Sequence, residues 1–323
     1  MSHSIGTPFF WSAFLLVVLI LLSLDLGLAQ RKAHVVSVKE ALGWSVVWVC
    51  LSLCFGTWVY LHFGAQEGLE FFAGYLIEYA LSVDNVFVFI LIFSYFAVPP
   101  HLHHRVLFWG ILGALGMRAA FIVAGAALIS AFHWILYLFG IFLVFTGFKI
   151  LREGETELEP EKNPVVRLFR RIIPLSSTYA SNGFFVREAG KFVATPLALV
   201  LVTVETTDLV FATDSIPAIF GVTHDPFIIY TSNICAILGL RSMYFLLAAV
   251  IDRFAYLGQG LGIVLMFIGV KMLIAEYLPI PIGLSLAVVA AILMGAVVLS
   301  LIRPPRKASI PESPLITSKS ADE

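Results

Sequence analysis

Residues 192–218 read FVATPLALVLVTVETTDLVFATDSIPA, an apolar run that carries three carboxylates, Glu205, Asp208 and Asp214. About 20 helical residues cross a hydrocarbon core of ~30 Å, so the run is long enough to span a membrane. An ionised acid at the middle of such a helix costs about 2.5–3.5 kcal/mol. Three of them call for compensating cations or for a function that uses the charge.

Outward from this stretch the chain repeats the pattern. Further apolar runs fall at 9–28, 44–62, 70–97, 105–128, 133–151, 227–250, 257–275 and 283–302, which with the first makes nine candidate spans. The composition agrees: 60% of residues are hydrophobic, 13% are charged and the mean hydropathy is +0.96. Soluble domains carry roughly 45–50% apolar and 25% charged residues, so a water-soluble fold is excluded. The expected fold is an all-α polytopic membrane protein. The first run lacks a basic n-region, exceeds the usual length of a signal-peptide core and is followed by Arg31 and Lys32, so it reads as an uncleaved span.

The basic residues set an orientation. The connections after spans one, three, five and seven, together with the C-terminal tail, hold sixteen of the twenty Lys and Arg residues, and the alternate connections hold none. The rule that basic loops stay on the cytoplasmic side then puts the N-terminus outside and the C-terminus inside. The other four, Arg118, Lys149, Arg241 and Lys271, lie within spans.

Those four also mark an internal repeat. Asp84 precedes Arg118 by 34 residues and Asp208 precedes Arg241 by 33; Arg118 to Lys149 is 31 and Arg241 to Lys271 is 30. GIFLVFTGFKIL at 140–151 matches GIVLMFIGVKML at 262–273. Spans three to five thus recur as spans six to eight, and an odd number of spans per unit makes the two copies cross in opposite senses. Inverted repeats are a recurring plan of secondary transporters, with the substrate near the midplane where the halves meet. The chain divides accordingly into residues 1–68 with two spans, a first repeat at 69–151, a cytosolic connection at 152–191, a second repeat at 192–275, and a last span with a tail at 276–323. The tail after Arg303, rich in Pro, Ser and Thr, reads as disordered. In the connection, Val165, Leu168, Phe169 and Ile172 share a helical face against Arg167, Arg170 and Arg171. Such a helix either lies on the anionic inner leaflet or packs on the bundle.

The chemistry concentrates in spans three and six. Glu205 and Asp208 share a helix face at i,i+3, while Glu78, Ser82 and Asn85 stack at i, i+4 and i+7 with Asp84 beside them. Glu78 lies six residues outward of Asp84, and Asp214 six outward of Asp208; at a rise of 1.5 Å per residue this predicts two tiers of carboxylates about 9 Å apart. Pro217 and the neighbouring Ser and Asn residues favour local unwinding that turns oxygens inward. An all-oxygen set suits hard divalent cations such as Mn²⁺, Mg²⁺ or Ca²⁺. The competing reading is a closed network in which Arg118 and Arg241 neutralise Asp84 and Asp208, but two arginines leave three of five acids unmatched. Cys50, Cys54 and Cys235 sit in apolar runs without CxxC or Cys/His spacing and read as small membrane-buried residues. His101, His103 and His104 read as a solvated loop, and Asp25 and Glu70 as span-end residues. There is no phosphate-cradling loop, nucleophile elbow or HExxH, and no basic aromatic face for nucleic acid, so neither an enzyme nor a nucleic-acid binder is expected.

Taken together, Leu24-Asp25-Leu-Gly, Glu78-Tyr-Ala-Leu-Ser-Val-Asp84-Asn85, Phe185-Val-Arg-Glu188 and Glu205-Thr-Thr-Asp208 through Ala212-Thr-Asp214-Ser-Ile-Pro217 resemble the TerC family of membrane proteins, named for tellurium resistance and including Alx-type manganese exporters. The resemblance implies a bacterial inner-membrane location, a role in manganese homeostasis and an intramembrane polar site at Glu78, Asp84, Asn85, Glu205, Asp208 and Asp214. The expected partners are the bilayer, a divalent cation and protons as coupling ion, with no permanent cofactor. A non-transporting membrane scaffold is the alternative from another class.

Overall fold

The computed structural model describes residues 4–29, 38–132, 134–153, 164–176, 179, 183–188, 191–248 and 256–302. The side chains of Leu24–Ala29, Asp84, Glu153, Glu188 and Lys191 are not among those described. The expectations for Asp25 and for the tail therefore lie outside the described residues, and for Asp84 only its helical backbone is described.

Every predicted span is helical: α1 Pro8–Ala29, α2 Val38–Phe63, α3 Ala65–Tyr95, α4 Pro100–Ala131 and α5 Ile135–Glu153. After the connection, which carries α6 Pro164–Ile172 and the strands β1 Phe185–Glu188 and β2 Lys191–Ala194, follow α7 Pro196–Phe220, α8 Pro226–Leu238, α9 Leu240–Ala248, α10 Leu257–Ile274 and α11 Ile282–Ile302. Seven of these helices are long and apolar enough to cross a membrane; α8 and α9, bent by 40° at Gly239, make an eighth crossing if taken as one broken span. The apolar helix α1 is shorter over its described side chains. In lipid only helices satisfy their own backbone groups, which is why an apolar sequence of this kind resolves into rods. Leu16, Leu19 and Ile20 on α1 and Leu284, Met294 and Leu301 on α11 stay exposed, as lipid-facing residues do.

The expected unwinding falls elsewhere. Both α3 and α7 stay helical through Ser82–Asn85 and through Pro217, and the break comes at Gly239 in the seventh span. Pro217 is three residues from the end of α7. Its ring costs only the single bond to Thr213, close to where the ladder stops anyway.

The helices α5 and α10 touch backbone to backbone. A Cβ built on Gly140 would lie 3.0 Å from the Gly269 carbonyl oxygen, and one on Gly262 would lie 3.0 Å from that of Gly147. Small residues permit this close approach, the usual device for joining helices in lipid. The pairing is crossed and antiparallel: Gly140 meets the repeat equivalent of Gly147, and Gly147 meets the equivalent of Gly140. Two helices that run in opposite senses, each with glycines seven residues apart, pack in this way.

The connection holds more structure than the sequence reading gave it. Strands β1 and β2 pair antiparallel, Phe185 with Ala194 and Val186 with Val193. Thr195 donates to the Gly183 carbonyl oxygen at 2.8 Å, which fixes the hairpin against the start of α7. Tyr179 donates to the Phe96 carbonyl oxygen at 2.8 Å, tying the connection to the end of α3, and burial raises the pKa of this hydroxyl. In α6 only Val166 is buried, while Val165, Leu168 and Ile172 remain exposed. Phe169 is half-buried, so α6 rests on α7 through Val166 and leaves most of its apolar face open. The histidines are a correction as well. They open α4, and with Nε2 protonated the half-buried His103 donates to the Val98 carbonyl oxygen (2.9 Å) and accepts from the Tyr244 hydroxyl (3.1 Å), linking α4 to α9. The proline pair Pro99-Pro100 starts the helix at once rather than extending a loop.

Candidate functional site

Ala80 is the midpoint of α3 and Asp208 that of α7. Two residues from the first midpoint, Glu78 is completely buried, and Ser82 and Asn85 continue its stripe at 0% and 1% exposure. Asp208 is 4% exposed. Between them comes Arg118 of α4, at 0% exposure the largest fully buried side chain among the described residues.

Glycines make these approaches possible. A Cβ on Gly110 of α4 would press on Val204 of α7 at 3.2 Å, and Gly113 faces the Glu205 carboxylate. A Cβ on Gly74 of α3 would sit 2.8 Å from Ser232 Oγ on α8, so this glycine seats α8 beside the stripe on α3. Asn233, the next residue of α8, then enters the same cluster.

The guanidinium of Arg118 organises the site. Its Nη1 donates to Glu78 Oε1 and, at 3.0 Å, to Asn233 Oδ1, while Nη2 donates to Asp208 Oδ1 at 3.2 Å. Asn85 Nδ2 reaches the same Asp208 oxygen at 3.4 Å. Ser215 faces Glu78 without a hydrogen bond of ordinary geometry. Among the described residues, the second oxygens, Glu78 Oε2 and Asp208 Oδ2, have no partner, nor do Arg118 Nε and Asn233 Nδ2. With both acids ionised, two carboxylates meet one guanidinium and the cluster carries one net negative charge. Uncompensated buried charge of this kind is costly, so the site has a use for a proton or a cation.

The six residues expected at the site are distributed unevenly. Glu78, Asn85 and Asp208 come together. Glu205 is half-buried one turn from Asp208, against Gly113 and within electrostatic reach of Asp208. Asp214 is half-buried apart from the cluster, facing Thr146 and Lys149 of α5. The two tiers are therefore regrouped. The helix α3 begins at Ala65 rather than at residue 70, which shifts its centre toward Glu78 and lets Glu78 meet Asp208 on one guanidinium. Arg241, the repeat counterpart of Arg118, is half-exposed at the start of α9 beyond the break and acts electrostatically on His104. Among the described residues no three His, Cys, Asp or Glu side chains are grouped at metal-ligand spacing. The sequence reading missed Asn233; its signal was an amide beside Thr231 and Ser232 in the middle of a membrane span.

A narrow cleft reaches Asp208 from one side, walled by Phe89, Leu107, Ile111, Val204, Ile237 and Leu240. Phe89, Leu107, Ile111 and Val204 lie on the side of their helix midpoints that the charge pattern assigns to the cytoplasm. Cys50 and Cys54 are exposed on α2, and Cys235 is buried in α8.

A polytopic helical membrane protein with an arginine–carboxylate cluster at mid-depth is the class that this fold and site define. The profile of the TerC integral membrane protein family matches residues 63–308, most of the chain, and the chain belongs to the TerC family. It is 51% identical over 300 residues to an uncharacterized membrane protein of Myxococcus xanthus, covering 93% of this chain and 94% of that one. It is 50% identical over 301 residues to the protein of Escherichia coli named "Putative membrane-bound redox modulator Alx", covering 90% and 94%. A Rickettsia bellii membrane protein is 40% identical over 293 residues, covering 91% and 97%. No solved structure matches.

Proposed function

We propose that this protein is a divalent-cation transporter of the bacterial inner membrane, that it exports Mn²⁺, and that the cation passes the Glu78–Asp208 cluster. The observation that carries this reading is the pair of carboxylate oxygens, Glu78 Oε2 and Asp208 Oδ2, buried at mid-depth without partners among the described residues. Retaining two acids for one arginine in lipid is expensive for a purely structural role. Hard oxygen donors with amide neighbours, and no thiolate or thioether in the cluster, favour Mn²⁺, Mg²⁺ or Ca²⁺ over softer metals. The cleft on the cytoplasmic side offers a way to Asp208. Protons are the natural coupling ion, because the site's net negative charge is offset by one proton once the metal leaves.

A second reading is favoured by the same arginine. Arg118 binds one oxygen of each acid, and a bridge that never opened would make the protein a scaffold for other membrane or stress-response components. The redox role in the name of the E. coli relative, carried to this chain, would rest on Cys50, Cys54 and Cys235, of which only Cys235 is buried. Reconstitution separates these readings. Vesicles holding the purified protein should move Mn²⁺ down an imposed pH gradient, with Mg²⁺ and Ca²⁺ as competitors. Vesicles no leakier than protein-free controls would remove the transport reading.

A further inference from the structure

Glu78 and Asp208 lie on different helices, yet each gives one oxygen to the same guanidinium and keeps the other oxygen unpartnered. From this geometry, and resting on the transport reading above, we infer that Arg118 is a tethered competitor of the transported cation: its guanidinium stands on the two carboxylates when the metal is absent and withdraws when the metal binds.

The chemistry follows from charge. A divalent ion seated between the same carboxylates would lie a few ångströms from the guanidinium, and like charges at that range repel strongly in a medium of low dielectric. Metal and Arg118 thus exclude each other. The bridge also solves the return step of a carrier. Two bare carboxylates inside a membrane oppose any rearrangement that keeps them from water. A guanidinium that takes the metal's place leaves a single charge, which one proton neutralises. Arg118 is suited to this role because it cannot lose its proton and because its planar fork spans two acceptors at once. A lysine would present one point charge. Asn233 gives the guanidinium a third, neutral acceptor, so the bridged state is held in one geometry. Arg118 is in this account a positioning residue, acting on the metal through the acids.

The test is to measure Mn²⁺ binding and transport on the same purified protein, wild type against Arg118→Gln and Arg118→Lys. Removing the competitor should tighten Mn²⁺ binding at equilibrium by about tenfold or more. Net export into Mn²⁺-free medium should fall by roughly 100-fold, because the empty carrier is now stranded. Exchange of Mn²⁺ for Mn²⁺ never requires the empty carrier to return, so it should persist. Arg118→Lys should fall between wild type and Arg118→Gln in both quantities, and it supplies the reading if Arg118→Gln does not assemble. A purely structural arginine predicts weaker Mn²⁺ binding, with net transport and exchange falling in parallel; either result overturns the inference. Wild-type protein that neither binds nor moves Mn²⁺ would instead defeat the transport reading itself.

Discussion

Removing one acid from the Glu78–Arg118–Asp208 bridge leaves a one-to-one ion pair, whereas removing both leaves a buried arginine alone. Stability and transport should therefore respond differently to the same substitutions. Asp208→Asn keeps Arg118 paired with Glu78 and cancels the net charge, so the protein should stay folded with a melting temperature at or above that of wild type. Glu78→Gln should behave alike through Asp208. The double variant strands Arg118 and should lose about 3–5 kcal/mol, the usual cost of an uncompensated buried charge. Such strong non-additivity is expected of side chains that act as one unit. On the transport reading each single variant is already inactive, so thermal unfolding and Mn²⁺ flux measured on the same samples separate the two roles. Equal destabilisation by both single variants, with flux per folded molecule retained, would show that the bridge is structural and that the cation does not pass through it.

Glycine does at the level of helices what Arg118 does at the level of side chains. A Cβ on Gly147 would come within overlap distance of the Gly262 carbonyl oxygen, while one on Gly283 at the start of α11 would meet nothing within 4 Å. Gly147→Leu should force α5 from α10 and cost at least ~1–3 kcal/mol, the usual penalty of overpacking. Gly283→Leu, equally apolar and equally large, should change stability by less than about 0.5 kcal/mol. Denaturation of both variants in detergent checks the contrast, and equal losses would show that α5 and α10 separate cheaply. These elements also mark how far the sequence could be read. Hydropathy and the spacing of Asp84, Arg118, Asp208 and Arg241 were enough for the helices and for the stripe Glu78–Ser82–Asn85, because both depend on local periodicity. Which acid meets which arginine depends on tertiary contact: Asn233 joined the cluster through Gly74 and Ser232, and Arg241 left it through the break at Gly239. The hairpin Phe185–Ala194 was hidden because four-residue strands carry little periodic signal beside a 25-residue helix. His103 was read as loop because its partner, Tyr244, is 141 residues away.

Across the whole molecule, manganese export predicts that cells overproducing the protein hold less manganese and tolerate more of it in the medium; unchanged cellular manganese at normal protein levels would count against export. Topology permits a stricter check, because equivalent positions in an inverted repeat must face opposite sides of the membrane. His101 at the start of α4 and His224 just before α8 are such a pair, 123 residues apart, the same offset that relates Arg118 to Arg241. Both are exposed, so a cysteine at either site is open to reagent. On the orientation expected from the basic residues, His101 lies in the cytoplasm, beside Arg105, and His224 outside, in a connection without Lys or Arg. With Cys50, Cys54 and Cys235 replaced by serine or alanine, a membrane-impermeant maleimide added to intact cells should label His224→Cys and leave His101→Cys untouched. Opening the cells should then label both. Labelling of the two sites from the same face would mean that the repeats run parallel. That outcome would also contradict the antiparallel packing of α5 on α10, in which Gly140 meets Gly269 and Gly147 meets Gly262.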